Sequence, residues 1–443
     1  MLLRLLILGL SAMLCGNASG QALNAQNAPL QPGTTAPLLI NLQDALARAK
    51  ANSQQFQTAN ISAQLAHEDR VQGMANLLPS LNYFNQYIYT QGNGTPSGVF
   101  VANDGVHVYN SQALVHGDIY APGKWADRRR LIAAEAVARA KADIAARGLV
   151  VTVVQSFYGL LAAQHKDANA QQSLREAQQF FDITQKQEQG GEAAHSDVVK
   201  AQIQLEQRQR DAQEAQLAAE KNQIGLAVLI FPDYRKDFSV VDDLASKTNL
   251  PPVSEVQDLA AKNNPDIRAA QAAVEQEKSG VSVARSAFLP SLSFDYFYGI
   301  DANQFAVYNH HHLQNLGSVA QAQLTIPVWT WGATRSKLKQ AELHLQQAKV
   351  DLSYTQRQLL GNLDAFYREA EVARSQLPSL AHSVDLASES LKLTLLRYTA
   401  GEVTVLEVVD AQSTLAQARN AHADGLVRYR VALADLQTLT GSF

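Results

Sequence analysis

The sequence has 443 residues, of which 46% are hydrophobic, and a formal net charge of −4. A slightly negative net charge gives no sign of the basic surface that nucleic-acid-binding proteins have. The apolar content excludes an intrinsically disordered chain. The single cysteine, Cys15, excludes a disulfide scaffold.

The N-terminal segment 1–22 has the layout of a secretory signal peptide. An early arginine precedes an apolar run, and small residues follow, so cleavage is expected just after Gly20 or Ala22. A short N-terminal helix is one alternative, and a lipid anchor on Cys15 is another, although the three residues before Cys15 do not fit a lipidation signal. Residues 23–40 are expected to be extended. The sequence thus predicts an exported protein.

The chain contains an internal duplication. LPSLNYFNQYIYT (78–90) recurs as LPSLSFDYFYGID (289–301), and GEAAHSDVVKAQ (191–202) recurs as GEVTVLEVVDAQ (401–412). A glycine-and-aromatic step ahead of a charged helix also occurs twice. Because these landmarks keep their order at a spacing of about 210 residues, the protein is predicted to be two tandem copies of one unit.

Each copy is predicted to contain a helix, two strands, a long helix, a hairpin turn and a further helix. The first copy spans 41–230 and the second 258–443, with an irregular linker at 231–257. The strands are expected near 80–90, 110–121, 291–301 and 317–328, and the turns near 190–195 and 400–404. The fold class is therefore mostly α with a small β part.

The long helices are predicted from periodicity over residues 124–189 and 333–399, the second with Pro378 as an interruption. Each would extend roughly 100 Å at 1.5 Å per residue. Apolar residues recur at sevens, which is typical of coiled-coil seams, and the remaining faces are polar. Helices with a narrow apolar seam and two solvent-exposed polar faces fit the wall of a water-filled tube better than an extended coiled-coil rod, which is the alternative. The shorter helices, 41–77 and 196–229, together match one long helix and are expected to stack along it.

The predicted strands alternate between an apolar, aromatic face and a polar face. In the first strand of each copy the apolar face contains Leu81, Tyr83, Tyr87 and Tyr89, and Leu292, Phe294, Tyr296, Tyr298 and Ile300. Ten-residue strands of this kind are typical of transmembrane barrels, and the edge of a soluble sandwich is the alternative. Four strands cannot close a barrel, and open edges are not tolerated in lipid. A membrane role would therefore require an oligomer.

The sequence contains no recognisable catalytic or cofactor motif. GNGTPSG (92–98) resembles a phosphate loop but lacks the following lysine and hydroxyl residue. The three consecutive histidines His310, His311 and His312 are a weak candidate metal site, and a solvated loop is the favoured reading because adjacent side chains diverge. No enzyme activity and no cofactor are expected.

With these features in place, the chain is similar to the TolC family of outer-membrane efflux channels from about Leu42 to Gly441. The similarity rests on LLPSLNYF and FLPSLSFDY and on YTAGEVTVLEVVDAQ (398–412). It implies a homotrimer with a 12-stranded barrel in outer-membrane lipid of a Gram-negative bacterium, and a long helical tunnel in the periplasm. It also implies docking onto a periplasmic adaptor and an inner-membrane pump, and a passive export role.

The resemblance assigns two sets of residues to the periplasmic end. The hairpin tips that would contact the adaptor are Gly190, Gly191, Glu192, Gly401 and Glu402. The residues that would ring the aperture are Asp197, Glu407, Asp410 and Tyr398. The alternative for the three acids is ordinary acidity at a helix N-terminus, which complements the helix dipole.

The chain departs from the family pattern at one position. Val403 stands where the best-known pattern has an arginine that locks the closed aperture, and its counterpart in the first copy is Ala193. Closure is instead expected to rest on packing of Val403, Val405 and Leu406. The expected function is a passive export duct, and the alternative is a periplasmic coiled-coil structural or adaptor protein without a membrane barrel.

Overall fold

The computed structural model describes residues 38–89, 107–244, 246 and 249–441. The predicted signal peptide with Cys15, residues 23–37 of the predicted extended segment and the first interstrand loop (90–106) lie outside these ranges. The first copy contains β1 (Leu38–Ile40), α1 (Leu42–Asn52), α2 (Gln54–Ala75), β2 (Ser80–Tyr89), β3 (His107–Tyr120), α3 (Pro122–Gln189) and α4 (His195–Ile230). The linker contains β4 (Phe238–Val240), and the second copy begins earlier than the predicted residue 258, because α5 (Val253–Asn263) starts inside the predicted linker. The second copy continues with α6 (Pro265–Ser286), β5 (Ser291–Ala302), β6 (Leu316–Thr325), α7 (Ala333–Thr399) and α8 (Val405–Thr440).

The helix expected over 41–77 is two helices, which corrects the sequence-based prediction. Ser53 separates α1 from α2, and its hydroxyl accepts a hydrogen bond from the Phe56 backbone N–H at 3.3 Å. The second copy breaks at the matching place, where the Asn264 side chain accepts from the N–H groups of Asp266 and Ile267. Because these side chains satisfy the free N–H groups of a new helix, each start is stabilised by about 1 kcal/mol.

The two long helices organise the remaining elements. α3 has 68 residues and α7 has 67, so each is about 100 Å long. Near the sheet α3 packs against α2 and α6, and towards the hairpin turns it packs against α4 and α8. α7 packs against α6 and then α8. Shorter helices of its own copy thus line each long helix, as their lengths predicted, and α3 also contacts α6 and α8 of the second copy.

α7 continues through Pro378 without a break, although proline lacks the N–H that would donate to the preceding turn. The neighbouring part of α8 presents Gly425, and a Cβ added there would collide with the Leu380 side chain and lie 3.6 Å from Leu377 Cδ2. The two helices are therefore in close contact at the level of the proline, where a larger side chain at position 425 would require the Leu380 side chain to move.

The middle of the helical region holds several fully buried side chains. Val153, Phe157 and Leu160 of α3 are at most 1% exposed. Among the described residues, α3 alone contains an 18-residue window long and apolar enough to cross a membrane, with mean hydropathy 1.5, and 44% of that window is buried inside the protein. This burial accounts for the apolar stretch as part of a packed core.

A strand pair and side-chain hydrogen bonds hold the linker against both copies. β4 pairs with β1, and the Arg430 guanidinium of α8 donates to the Ser246 carbonyl at 2.9 Å and to the Asp243 carbonyl. Tyr158 of α3 donates to an Asp243 carboxylate oxygen at 3.2 Å. Burial, together with the Asp243 charge, raises the pKa of Tyr158 to about 12. Its hydroxyl therefore remains a proton donor to Asp243 at neutral pH.

A buried carboxylate joins α2 to α3 below the sheet. Glu135 is 6% exposed and lies 2.9 Å from His67 Nδ1 and 2.6 Å from Arg70 Nε, with Arg139 also in contact. Burial by itself raises the pKa of Glu135, but the His67 hydrogen bond and the charges of Arg139 and Arg70 outweigh it and lower the pKa. The carboxylate is therefore ionised at neutral pH and fully paired.

The sheet contains four antiparallel strands in the order β2–β3–β5–β6. Tyr83 lies opposite Ala113, Ala113 opposite Tyr298, and Tyr298 opposite Ser318. The pairing of β3 with β5 joins the hairpins of the two copies. In the single chain, β2 and β6 are edge strands.

The strand predicted at 317–328 is too long. β6 ends at Thr325, and the predicted extension crosses Pro327. Proline cannot donate to a strand ladder, so the alternation of Ile326 and Val328 continued past the point where pairing stops. The strand β3 begins at His107, three residues before the start predicted at residue 110.

Candidate functional site

The two hairpin turns have the same backbone design. Glu192 N–H donates to the Gln187 carbonyl at 2.8 Å, and Glu402 N–H donates to the Arg397 carbonyl at 2.9 Å. A hydrogen bond that spans five residues at a helix C-terminus is the mark of a Schellman motif, which requires one residue with positive φ. The duplicated sequence therefore produces a duplicated reversal.

Glycine supplies the positive φ in both turns. Gly191 has φ 79° and Gly401 has φ 76°, whereas Gly190 has an ordinary helical φ of −76°. A side chain at Gly191 or Gly401 would be strained in this region. All five predicted adaptor-contacting residues are exposed at these tips, and their contact with an adaptor stays a prediction.

Each turn is also bridged by a contact between an acidic and a basic side chain, which the sequence analysis missed. Glu188 contacts His195 Nδ1 at 2.7 Å across the first turn, and Arg397 Nε lies 3.5 Å from a Glu402 oxygen across the second. The available signal was a pair of opposite charges flanking each glycine. Because these groups are mostly exposed, each pair contributes at most about 1 kcal/mol.

The three predicted aperture acids have different surroundings. Glu407 forms a capping box with Thr404 at the start of α8, and Asp197 pairs with Lys200 Nζ at 3.2 Å. Asp410 is exposed, and no ion pair within 4.0 Å joins it to a described residue. Local structure therefore explains Glu407 and partly explains Asp197, and Asp410 is the acid without such a role.

The structure places Tyr398 inside the protomer. It is 6% exposed, its ring contacts Phe180 edge-to-face at 5.1 Å between centroids, and its hydroxyl donates to Thr184 Oγ1 at 3.3 Å. No hydrogen bond joins it to Asp197 within the described parts of the chain. Tyr398 is thus part of an apolar cluster between α3, α4, α7 and α8. The remaining buried members of this cluster are Ala201, Ala387, Leu391, Val405, Val408, Ala411 and Leu415.

The expected closure residues divide between this cluster and the surface. Val405 is 1% exposed and Val403 packs against the cluster, whereas Leu406 is 60% exposed. Leu406 therefore has no packing role inside the single chain. An exposed leucine beside Glu407 is available for contact with another copy.

The sheet presents two chemically different faces. Strand register places Tyr83, Ala113 and Tyr298 on one face, where most large side chains are exposed. The other face is more polar and carries a His116–Asp295 contact of 2.6 Å. This division agrees with the predicted alternation, since successive strand residues point to opposite sides.

The three histidines lie in the β5–β6 loop and are all exposed. Asn309 organises this loop, because its side-chain oxygen accepts from the N–H groups of His311 and Leu313, each at 2.9 Å. Across the described residues, no group of three or more His, Cys, Asp or Glu side chains is placed to hold a metal ion.

Comparison with known proteins gives a consistent result. The family model described as outer membrane efflux protein matches residues 45–230 and 256–442, one match per copy. The alkaline protease secretion protein AprF of Pseudomonas aeruginosa is 22% identical, covering 91% of this chain and 84% of AprF. The outer membrane protein TolC of Vibrio cholerae is 25% identical, covering 91% of both chains.

A solved structure shares the fold. The CmeC outer membrane channel of Campylobacter jejuni superposes with a TM-score of 0.80 at 18% identity, covering 96% of this chain and 94% of CmeC. The predicted fold class and the resemblance to the TolC family are confirmed, and the alternative of a coiled-coil rod without barrel strands is not the observed fold. The chain belongs to the outer membrane efflux protein family.

Proposed function

We propose that the chain forms the passive outer-membrane duct of an export system and conducts substrates across the periplasm and the outer membrane. This proposal rests on one observation: a sheet with an exposed aromatic face is joined directly to helices about 100 Å long. One end suits lipid, and the other reaches deep into an aqueous compartment.

The open sheet edges support a homotrimer. β2 and β6 each lack a neighbour on one side in the single chain, and unpaired backbone groups cost several kcal/mol each in lipid. Pairing β6 of one copy with β2 of the next satisfies both edges. Three copies supply twelve strands, which close a barrel with the exposed aromatic face towards lipid.

The relatives support a role as the outer-membrane component of a larger export system. AprF is a secretion protein and CmeC is an outer membrane channel, so this chain would receive substrate from a periplasmic adaptor and an inner-membrane pump. The pump provides the energy, and the duct performs no chemistry and needs no cofactor. Both tripartite efflux and type I secretion fit this arrangement.

The proposal is tested by fractionation and conductance. The full chain expressed in a Gram-negative host is expected in the outer membrane as a heat-modifiable trimer, and the purified trimer is expected to form ion channels in a planar lipid bilayer. Recovery as a soluble periplasmic monomer, or as a membrane trimer without conductance, would contradict the proposal.

Replacing Asp410, a proposed aperture residue, tests the role of the acids in ion selectivity. In a trimer its carboxylate occurs three times, and a ring of acids favours cations. Asp410→Lys is expected to lower the K⁺/Cl⁻ permeability ratio at least about threefold, measured from reversal potentials in planar bilayers.

The matched control is Asp351→Lys, an exposed aspartate on α7 roughly 70 Å from the hairpin turn. It makes the same charge change away from the proposed aperture and should leave the ratio near the wild-type value. An unchanged ratio in Asp410→Lys would remove Asp410 from the aperture.

A further inference from the structure

A cavity of about 380 Å³ lies midway along the helical region, apart from the hairpin turns and the sheet. Its walls come from the end of α1, from α3, from the junction of α5 with α6 and from the end of α8. This volume is within the range of small-molecule sites in proteins. Elements of both copies thus converge on one solvent-accessible space.

The walls of the cavity are strongly basic. Lys50, Arg147, Lys262 and Arg268 line it, with Asp143 as the one acidic lining residue. The chain as a whole carries a formal charge of −4. The four basic side chains come from four different helices, and they give this cavity a charge opposite in sign to that of the whole chain.

The acids near the cavity are already engaged. Asp143 pairs with Arg268 at 2.9 Å, and Asp266 at the start of α6 pairs with Arg147. Lys50 and Lys262 have no carboxylate within 4.0 Å among the described residues. Within the described part of the chain, the ammonium groups of Lys50 and Lys262 are therefore the two that lack a carboxylate partner.

Arg147 contributes a further donor. Its Nη2 contacts Asp266, whereas its Nη1 is buried and has no acceptor among the described residues. A buried donor without a partner is unfavourable, and more so when the group is charged. Pro265, the first residue of α6, also lines the cavity, but the Asn264 side chain already accepts from the N–H groups of Asp266 and Ile267, so the donors for an anion are side chains.

Helix dipoles explain part of this pattern. Lys50 and Lys262 lie in the last turns of α1 and α5, where positive charge is favourable. This accounts for each lysine separately. It does not account for their convergence with two arginines and an unsatisfied guanidinium N–H on one cavity.

We propose that this cavity binds a small multivalent oxyanion, such as a phosphate ester or a di- or tricarboxylate. The donors suit oxyanions, because guanidinium and ammonium groups form short charge-assisted hydrogen bonds with carboxylate and phosphate oxygens. The volume exceeds the needs of a halide ion, and cations on separate walls favour a ligand with more than one charged group. The bound anion would join α1 and α3 to the second copy.

Citrate and inorganic phosphate are the probes for calorimetric titration of the detergent-solubilised full-length protein. Ionic strength is held constant with NaCl, since screening alone changes weak electrostatic binding. Saturable binding of citrate is expected for the wild type. The Lys50→Gln/Lys262→Gln double variant is expected to bind citrate at least about tenfold more weakly.

The control is Lys278→Gln/Lys339→Gln, which removes the same charge from two exposed lysines outside the cavity. It should bind citrate as the wild type does. If the double cavity variant does not accumulate, the single variants Lys50→Gln and Lys262→Gln must each weaken binding. No saturable wild-type binding, or equal loss in the control, would overturn the proposal, and intact bilayer conductance in the same preparation would leave the duct function standing.

Discussion

Replacing Gly299 with valine is expected to reduce the amount of assembled outer-membrane channel at least about tenfold. A Cβ at Gly299 would lie 2.6 Å from Gln112 Cα and would collide with the Ser111 carbonyl oxygen. Both contacts are backbone atoms of β3, which cannot rotate away. The substitution therefore separates β3 from β5, the pairing that joins the strands of the two copies. Heat-modifiable trimers on semi-native gels measure the effect.

Gly317→Val is the matched control. Gly317 lies directly opposite Gly299 in the β5–β6 register, and a Cβ there would meet nothing within 4 Å in the chain. Valine is favoured in strands, so intrinsic preference would not explain a failure of Gly299→Val. Assembly of Gly299→Val at the wild-type level would show that β3 and β5 are not held at this distance.

Tyr398→Ala is expected to loosen the hairpin end of the second copy. Removing this buried ring leaves a cavity beside Phe180 and costs about 3–5 kcal/mol in the cluster that holds α7 against α3 and α8. The trimer should still assemble through its strands, while the resting channel conducts more. Resting conductance in bilayers and sensitivity of cells to a large antibiotic such as vancomycin report this leak.

Tyr398→Phe separates packing from hydrogen bonding. It keeps the ring and removes the donor to Thr184, a bond worth about 1 kcal/mol. If Tyr398 acts through packing, Tyr398→Phe stays nearly as closed as the wild type. A leak as large as that of Tyr398→Ala would show that the hydroxyl is the closing element.

Local pattern predicted the elements of this fold well. The seven-residue spacing and the absence of interior proline marked α3, and two-residue alternation marked β2 and β5 with their correct faces. The errors occurred where one residue overrides a pattern. Ser53 caps a new helix inside a periodic stretch, and Pro327 stops a strand whose alternation continues.

Three-dimensional surroundings were harder to predict than elements. The sequence places Tyr398 on a seam, but the spacing is the same whether the seam faces the pore or the protomer interior. The Arg430–Ser246 contact joins residues 184 positions apart, and no local pattern encodes it. The basic cavity was missed for the same reason, since Lys50 and Lys262 belong to different copies.

Pro378 gives the two hairpins different mechanical properties. The long helix of the first has no proline beyond its first turn, whereas α7 lacks one backbone hydrogen bond beside its close contact with Gly425. The second hairpin is therefore expected to bend most easily at the level of Pro378, where α7 packs closely against Gly425. In a trimer, stiff and compliant hairpins alternate around the tunnel. The six tips then form two sets of three, so dilation of the tunnel end has three-fold and not six-fold symmetry.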